Sequence, residues 1–130
     1  MTTVDDNSIL ISQLYRDISF LNSEISKNNE MLVRLRKAQQ EISSGQEEFM
    51  LNKRFIHQPN LNQSVWAGTH ANDFDHIRGE IEDTYMRIGN SEIEGMLNNI
   101  EVKITHYEGL NKSLSSTIAS KRNRITQLSN

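Results

Sequence analysis

The stretch ISQLYRDISFLNSEISKNNEMLVRL, residues 11 to 35, decides the fold of this chain of 130 residues. Its apolar side chains recur at alternating spacings of three and four residues, which is the heptad pattern of a coiled coil. The first row of the heptad is Ile11, Ile18, Ile25 and Leu32, and the second row is Leu14, Leu21, Leu35, Ile42 and Phe49. The pattern predicts one long amphipathic helix, which we place at about residues 7–56.

Three polar residues, Asn28, Gln39 and Gln46, interrupt the apolar rows of this helix. One interpretation is that they only weaken the packing locally. The other is that they fix the register of the paired helices, as buried polar residues in coiled coils can do. The sequence leaves both interpretations open.

The segment HQPNLNQS, residues 57 to 64, ends the first helix. Pro59 cannot continue the hydrogen-bond ladder of a helix, and the surrounding Asn, Gln and Ser residues are typical of loops. Helical spacing resumes at Phe74 and continues to Ile125, with a change of phase at Gly89 and Asn90. We therefore predict a turn at about 57–70 and a second helix at about 71–126. The phase change indicates either a stutter or local distortion within one helix, which we favour, or a short break.

Two helices joined by a short turn run antiparallel, so the predicted fold is an all-α helical hairpin forming a single domain, residues 1–130. Several apolar residues fall beside or off the predicted seam and would be exposed on a lone hairpin. These residues are Leu10, Phe20, Met31, Val33, Tyr85, Leu97 and Val102. They predict a second hairpin packed alongside, either another copy or a homologous chain, giving a four-helix bundle.

The composition excludes several classes of protein. A net charge of -3 provides no general attraction for nucleic acid, and the absence of cysteine excludes disulfides and thiolate metal sites. No segment is apolar enough for membrane insertion, and the N-terminal sequence lacks the features of a cleaved secretory signal. We therefore expect a protein that is cytoplasmic before export and that needs no cleaved signal peptide if it leaves the cell.

No motif for catalysis or cofactor binding is present, and we predict a protein that is not an enzyme. His70, Asp73 and His76 are three residues apart and share part of a helix face, where a divalent metal ion could bind. Exposed histidines near a helix start are much more common than metal ligands. We therefore predict no metal site and no cofactor.

The segment WAGTHANDF, residues 66 to 74, contains the only tryptophan of the chain and lies at the predicted turn. Gly68 permits a tight turn into the second helix, and Trp66 offers a large apolar surface. Ala71 allows the helices to approach closely, and Phe74 begins the second apolar stripe. The pattern W-x-G-x-x-A-x-x-F at a turn between two long helices resembles the WXG superfamily, the ESAT-six-like hairpins of type VII secretion.

The chain also departs from that superfamily. It has His70 where those proteins often have alanine, its first helix is longer, and none of its tyrosines is followed four residues later by an acid. These features are similar to a subgroup of small helical partners of LXG-domain toxins. Phe20 and Glu24 are spaced as an aromatic-acid pair that could replace the missing export tag.

The resemblance implies a substrate of a type VII secretion system, or a targeting partner or chaperone of an LXG-type toxin. The implied partners are the helical N-terminal domain of such a toxin, another helical hairpin and the secretion ATPase. The predicted recognition residues are Trp66, Gly68, Ala71 and Phe74. The alternative is a structural coiled-coil adaptor or assembly protein unrelated to secretion, which would explain the heptads but not the turn motif.

Overall fold

The computed structural model describes residues 4–58 and 68–130, and all regular structure in these two ranges is helical. The predicted fold class, an all-α helical hairpin, is confirmed. The elements are α1 (Val4–Leu51), a 3₁₀ segment (Asn52–His57), α2 (Thr69–Arg87), a π-helical turn (Ile88–Glu92) and α3 (Ile93–Ser129). The central part of the predicted turn, residues 59–67, lies outside the described ranges.

The chain forms two compact units, and both α1 and the second half of the chain contribute to each. Unit 1 comprises Met1–Arg36 and Val102–Asn130, and unit 2 comprises Lys37–Glu101. In unit 1, Asp17 pairs with Lys121 at 3.1 Å, whereas Arg36 pairs with Glu108 at 3.4 Å. Residue numbers rise along one helix as they fall along the other, so the paired segments of this unit run antiparallel.

The core of unit 1 consists of the heptad residues predicted from the sequence. Ile18, Ile118 and Ile125 are buried, and four neighbours from α1 pack against them: Ile11, Leu14, Leu21 and Ile25. Leu32 and Ile104 are the most deeply buried apolar residues, each 4 % exposed. Full burial of one such side chain contributes about 1.5–3 kcal/mol, so each member of this narrow row of isoleucines and leucines stabilises the unit.

The polar residues within the seam pair with polar groups on the facing helix. The Asn28 side-chain amide donates to the Asn111 side chain at 2.9 Å, and Asn111 donates in turn to Asn29 at 2.9 Å. In unit 2, Gln39 donates to Glu101 at 2.6 Å. Because a shift along the seam would separate these partners, the pairing favours the interpretation that the polar residues fix the register.

The change of phase at Gly89 is a single π-helical turn between α2 and α3. Buried or half-buried positions follow one another at intervals of four residues here, from Tyr85 to Gly89, Ile93 and Leu97. A strict heptad would alternate three and four, so an α-helix with this spacing would rotate its apolar face away from α1. The wider π turn keeps these positions facing the same side.

Gly89 is buried at the point where this turn meets α1. The Gln46 side-chain amide donates to the Gly89 carbonyl at 2.6 Å and to the Glu94 carboxylate at 2.9 Å. A Cβ on Gly89 would overlap the Met50 Sδ atom and would lie 3.5 Å from the Phe49 ring. The absence of a side chain therefore allows α1 to approach the π turn closely.

Two of the residues predicted to lie off the seam belong to it. Tyr85 and Leu97 are half-buried, and the Tyr85 ring stacks on Phe49 with centroids 3.7 Å apart. The prediction for these two residues was wrong because the phase change at the π turn shifts the seam. The remaining five, Leu10, Phe20, Met31, Val33 and Val102, are exposed by 36–68 %. Assembly into a four-helix bundle stays a prediction.

Candidate recognition site

Gly68 fixes the backbone conformation at the start of α2. Its φ of 94° and ψ of −163° lie in a region that residues with a side chain rarely adopt. The Gly68 carbonyl accepts the hydrogen bond of the Asn72 amide at 3.2 Å, which closes the first turn of the helix. Gly68 itself has no side chain with which to cap this end. Gly68 therefore adopts a backbone conformation that favours glycine directly before α2, and its predicted role in recognition stays a prediction.

The two remaining described residues of the motif, Ala71 and Phe74, lie in the first turns of α2. Ala71 is buried, with 8 % of its surface exposed. Phe74 is 38 % exposed, so part of its ring is accessible to another molecule. Trp66, the first residue of the motif, lies outside the described residues, and its predicted role as a recognition residue stays a prediction.

Arg78, which the sequence did not single out, is the one buried charged side chain in the described part of the chain, with 6 % of its surface exposed. Its guanidinium carbon lies 4.6 Å from the centre of the Phe74 ring, within the range of a cation–π contact. The spacing alone indicates that Arg78 lies on the packed face of α2, because it is seven residues from both Ala71 and Tyr85 and continues their row. The buried guanidinium holds one face of Phe74 against α2.

The residues of the predicted auxiliary tag lie on α1 in unit 1. Phe20 is 64 % exposed. Glu24 lies one turn further along and forms an ion pair with Lys27 at 3.5 Å. The structure therefore presents the aromatic ring to solvent, whereas the neighbouring carboxylate has a local partner.

A charged cluster joins the 3₁₀ segment to α2 in unit 2. Glu82 accepts a hydrogen bond from the His57 ring at 2.5 Å and lies 3.9 Å from the Lys53 ammonium group. The His57 hydrogen bond lowers the pKa of Glu82 below its ordinary value, desolvation opposes this change, and the charges of His57 and Lys53 reinforce it. These contacts fasten the end of the first helical half to α2.

The histidines considered as metal ligands are exposed. His76 pairs with Glu80 at 3.1 Å, and 78 % of its side-chain surface is exposed. Within residues 4–58 and 68–130, no group of three or more histidine, cysteine or acidic side chains is arranged to hold a metal ion. A search of the same ranges finds no helix with the length and hydropathy of a membrane span.

The fold and this site define a small all-α protein built from paired antiparallel helices, with a glycine of positive φ directly before α2 and exposed aromatic side chains. The chain belongs to the YwqH-like family, whose sequence model matches residues 10–130. It is also similar to Protein YxiB of Bacillus subtilis (strain 168), with 37 % identity over 49 residues. That match covers 38 % of this chain and 40 % of YxiB, so the chain matches about two-fifths of its relative. No solved structure matches the chain.

Proposed function

We propose that this protein is a small helical partner in a type VII secretion system. It binds the helical N-terminal domain of an LXG-type toxin and acts as its targeting partner or chaperone, and it brings the toxin to the secretion ATPase. In this proposal the complex forms in the cytoplasm and is exported without cleavage of a signal peptide. The protein performs no chemistry itself.

The observation that carries the proposal is the geometry of Gly68, Ala71 and Phe74. A φ of 94° at Gly68, a buried Ala71 and a partly exposed Phe74 are the arrangement expected if W-x-G-x-x-A-x-x-F is a structured recognition turn. A chance match to the motif would not require a glycine-specific backbone conformation at Gly68. Membership of the YwqH-like family and the similarity to a Bacillus protein agree with this proposal.

Exposed apolar surface gives a second line of support for a protein whose work is binding. Phe20, Val33 and Val102 are each more than 60 % exposed, although burial of such side chains is favourable. They lie on helices whose seam residues are already packed. A partner that covers them would gain apolar contacts, which supports association with another helical protein.

Co-expression with the N-terminal helical domain of an LXG-type toxin tests the proposal directly. We expect the two proteins to purify together in a fixed ratio and the toxin to be found outside cells that carry a type VII system. A structural coiled-coil adaptor would not bind the toxin domain, and export of the toxin would not depend on it. Such a result would replace the proposal with that alternative.

Trp66→Ala tests the role of the turn. If Trp66 is a recognition residue, we expect unchanged helix content and melting temperature together with loss of toxin export. Tyr15→Ala is a matched control, because Tyr15 is also aromatic, is 59 % exposed and lies on α1 in unit 1. Normal toxin export from cells carrying Trp66→Ala would exclude the recognition role.

A further inference from the structure

A second apolar surface runs along α2 beside the helix seam. Phe74, Ile77 and Ile81 are 38 %, 50 % and 48 % exposed, and their spacing of three and four residues places them on one face of the helix. We call these three residues the α2 stripe. Three large apolar side chains aligned on one helix form a continuous surface, unlike the scattered exposed apolar residues of an ordinary protein surface.

The α2 stripe is separate from the face that packs on α1. Tyr85 stacks on Phe49, and Glu82 and Met86 contact Lys53 at 3.9 Å and 3.5 Å. At 100° per residue, Ile81 is turned by about 40° from Tyr85 and by about 100° from Glu82. The stripe therefore borders the seam on the side opposite Glu82, where a further helix could pack against α2.

The charges around the stripe indicate what kind of helix would pack there. α2 contains five acidic residues and two arginines, so its formal charge of −3 equals that of the whole chain. Asp73 and Glu80 are turned by about 40° and 60° from Ile77, on the flank of the stripe that faces away from the seam, where Glu80 remains largely exposed although it pairs with His76 at 3.1 Å. An apolar surface with an acidic border is complementary to a helix whose apolar face is bordered by lysine or arginine.

We propose that the α2 stripe is the docking surface for a basic amphipathic helix of a partner protein. The partner helix places apolar residues on Phe74, Ile77 and Ile81 and directs lysine or arginine side chains toward Asp73 and Glu80. A second copy of α2 would bring two acidic borders together, which disfavours self-association through this face. This inference specifies the contact surface for the partner of the proposed function, and it depends on that proposal only for the identity of the partner.

Two synthetic helical peptides probe the surface without a known partner. Both carry leucine at the a and d positions of three heptads; one has lysine at the e and g positions, and the other has glutamate there. With the full-length protein and fluorescence anisotropy, we expect the lysine peptide to bind at least tenfold more tightly than the glutamate peptide. We also expect its affinity to fall as salt is added. Equal affinities would overturn the proposal.

Two variants assign the binding to the stripe. We expect Ile77→Ser combined with Ile81→Ser to weaken binding of the lysine peptide at least tenfold, whereas Ile9→Ser combined with Leu51→Ser, at two exposed apolar residues of α1 outside the stripe, leaves it unchanged. Because the serine variant could affect folding, Asp73→Asn combined with Glu80→Gln provides a second test that removes no apolar contact. We expect it to abolish the preference for lysine. Unchanged binding by both stripe variants would overturn the proposal.

Other occupants of the stripe give different results. If a second copy covers it, sedimentation experiments show a dimer for the wild-type protein and a monomer for the variant that combines Ile77→Ser and Ile81→Ser. The wild-type protein then does not bind the peptide. If residues 59–67 of the same chain cover it, the peptide binds only after Trp66→Ala. Either result overturns the proposal.

The toxin domain separates this inference from the proposed function. If the wild-type protein and the serine stripe variant bind that domain equally, the docking surface is refuted and the proposed function stands. If the lysine peptide binds the stripe but no toxin domain co-purifies, the docking surface stands and the proposed function fails.

Discussion

Replacing Gly89 with alanine tests the close contact between α1 and the π turn. A Cβ at this position overlaps Met50 Sδ and lies 3.4 Å from Met50 Cγ and 3.5 Å from the Phe49 ring. Alanine instead of glycine within a helix is itself worth about 0.5–1 kcal/mol of added stability. Added volume in a filled contact costs about 1–3 kcal/mol. Because the second effect is larger, we expect Gly89→Ala to lower the free energy of unfolding by about 0.5–2 kcal/mol.

Gly95→Ala is the matched control for this prediction, because a Cβ on Gly95 meets no atom within 4 Å. We expect this variant to gain the helix-propensity term alone and to stabilise the protein by about 0.5–1 kcal/mol. For a chain of 130 residues, 1 kcal/mol corresponds to about 4 °C in melting temperature. Thermal melting followed by circular dichroism should therefore show shifts of opposite sign for two identical substitutions six residues apart.

A double variant identifies the side chain responsible. Met50→Ala alone removes half-buried surface and destabilises the protein. In the Gly89→Ala background the same change should cost less by about 1 kcal/mol, since it also removes the overlap. If Gly89→Ala raises the melting temperature as much as Gly95→Ala does, the proposed close contact is absent and the reasoning is refuted.

Further predictions concern the turn, the seam and the dependence on pH. Gly68→Ala should destabilise the protein by about 1–2 kcal/mol because of its φ of 94°, whereas Gly79→Ala should stabilise it, and chemical denaturation distinguishes the two. Gln46→Ala should cost about 1–2 kcal/mol by the same measurement, since two hydrogen bonds are lost, whereas the exposed Gln40→Ala should cost almost nothing. Because the pKa of Glu82 is lowered in the folded state, the ionised carboxylate stabilises that state above pH 4.5, the ordinary pKa of the group. This stabilisation is lost as the pH falls through the lowered pKa. Stability measured from pH 6 to about pH 3 should therefore fall less for Glu82→Gln than for the wild-type protein, and an identical fall would contradict the assignment.

Local patterns of residues were enough to predict the fold class and the glycine of the turn motif. The rows that begin with Ile11 and Leu14 require a helix, because only that conformation places residues three and four apart on one face. The positive φ of Gly68 also agrees with the residue type, since glycine is the residue that adopts this conformation most readily. These features depend on neighbouring residues along the chain, so no knowledge of distant contacts was needed.

Contacts between distant residues were decided by the tertiary structure alone. Tyr85 and Leu97 join the seam because the π turn changes the phase of the second helical half, and Gln46 meets the Gly89 carbonyl across 43 positions in sequence. Arg78 is buried, although a charged residue is ordinarily assigned to the surface. Heptad spacing shows which face of a helix is apolar, but it does not determine how far one helix slides along its partner. That register depends on how side chains from both helices pack together, and it alone determines which polar groups and glycines meet.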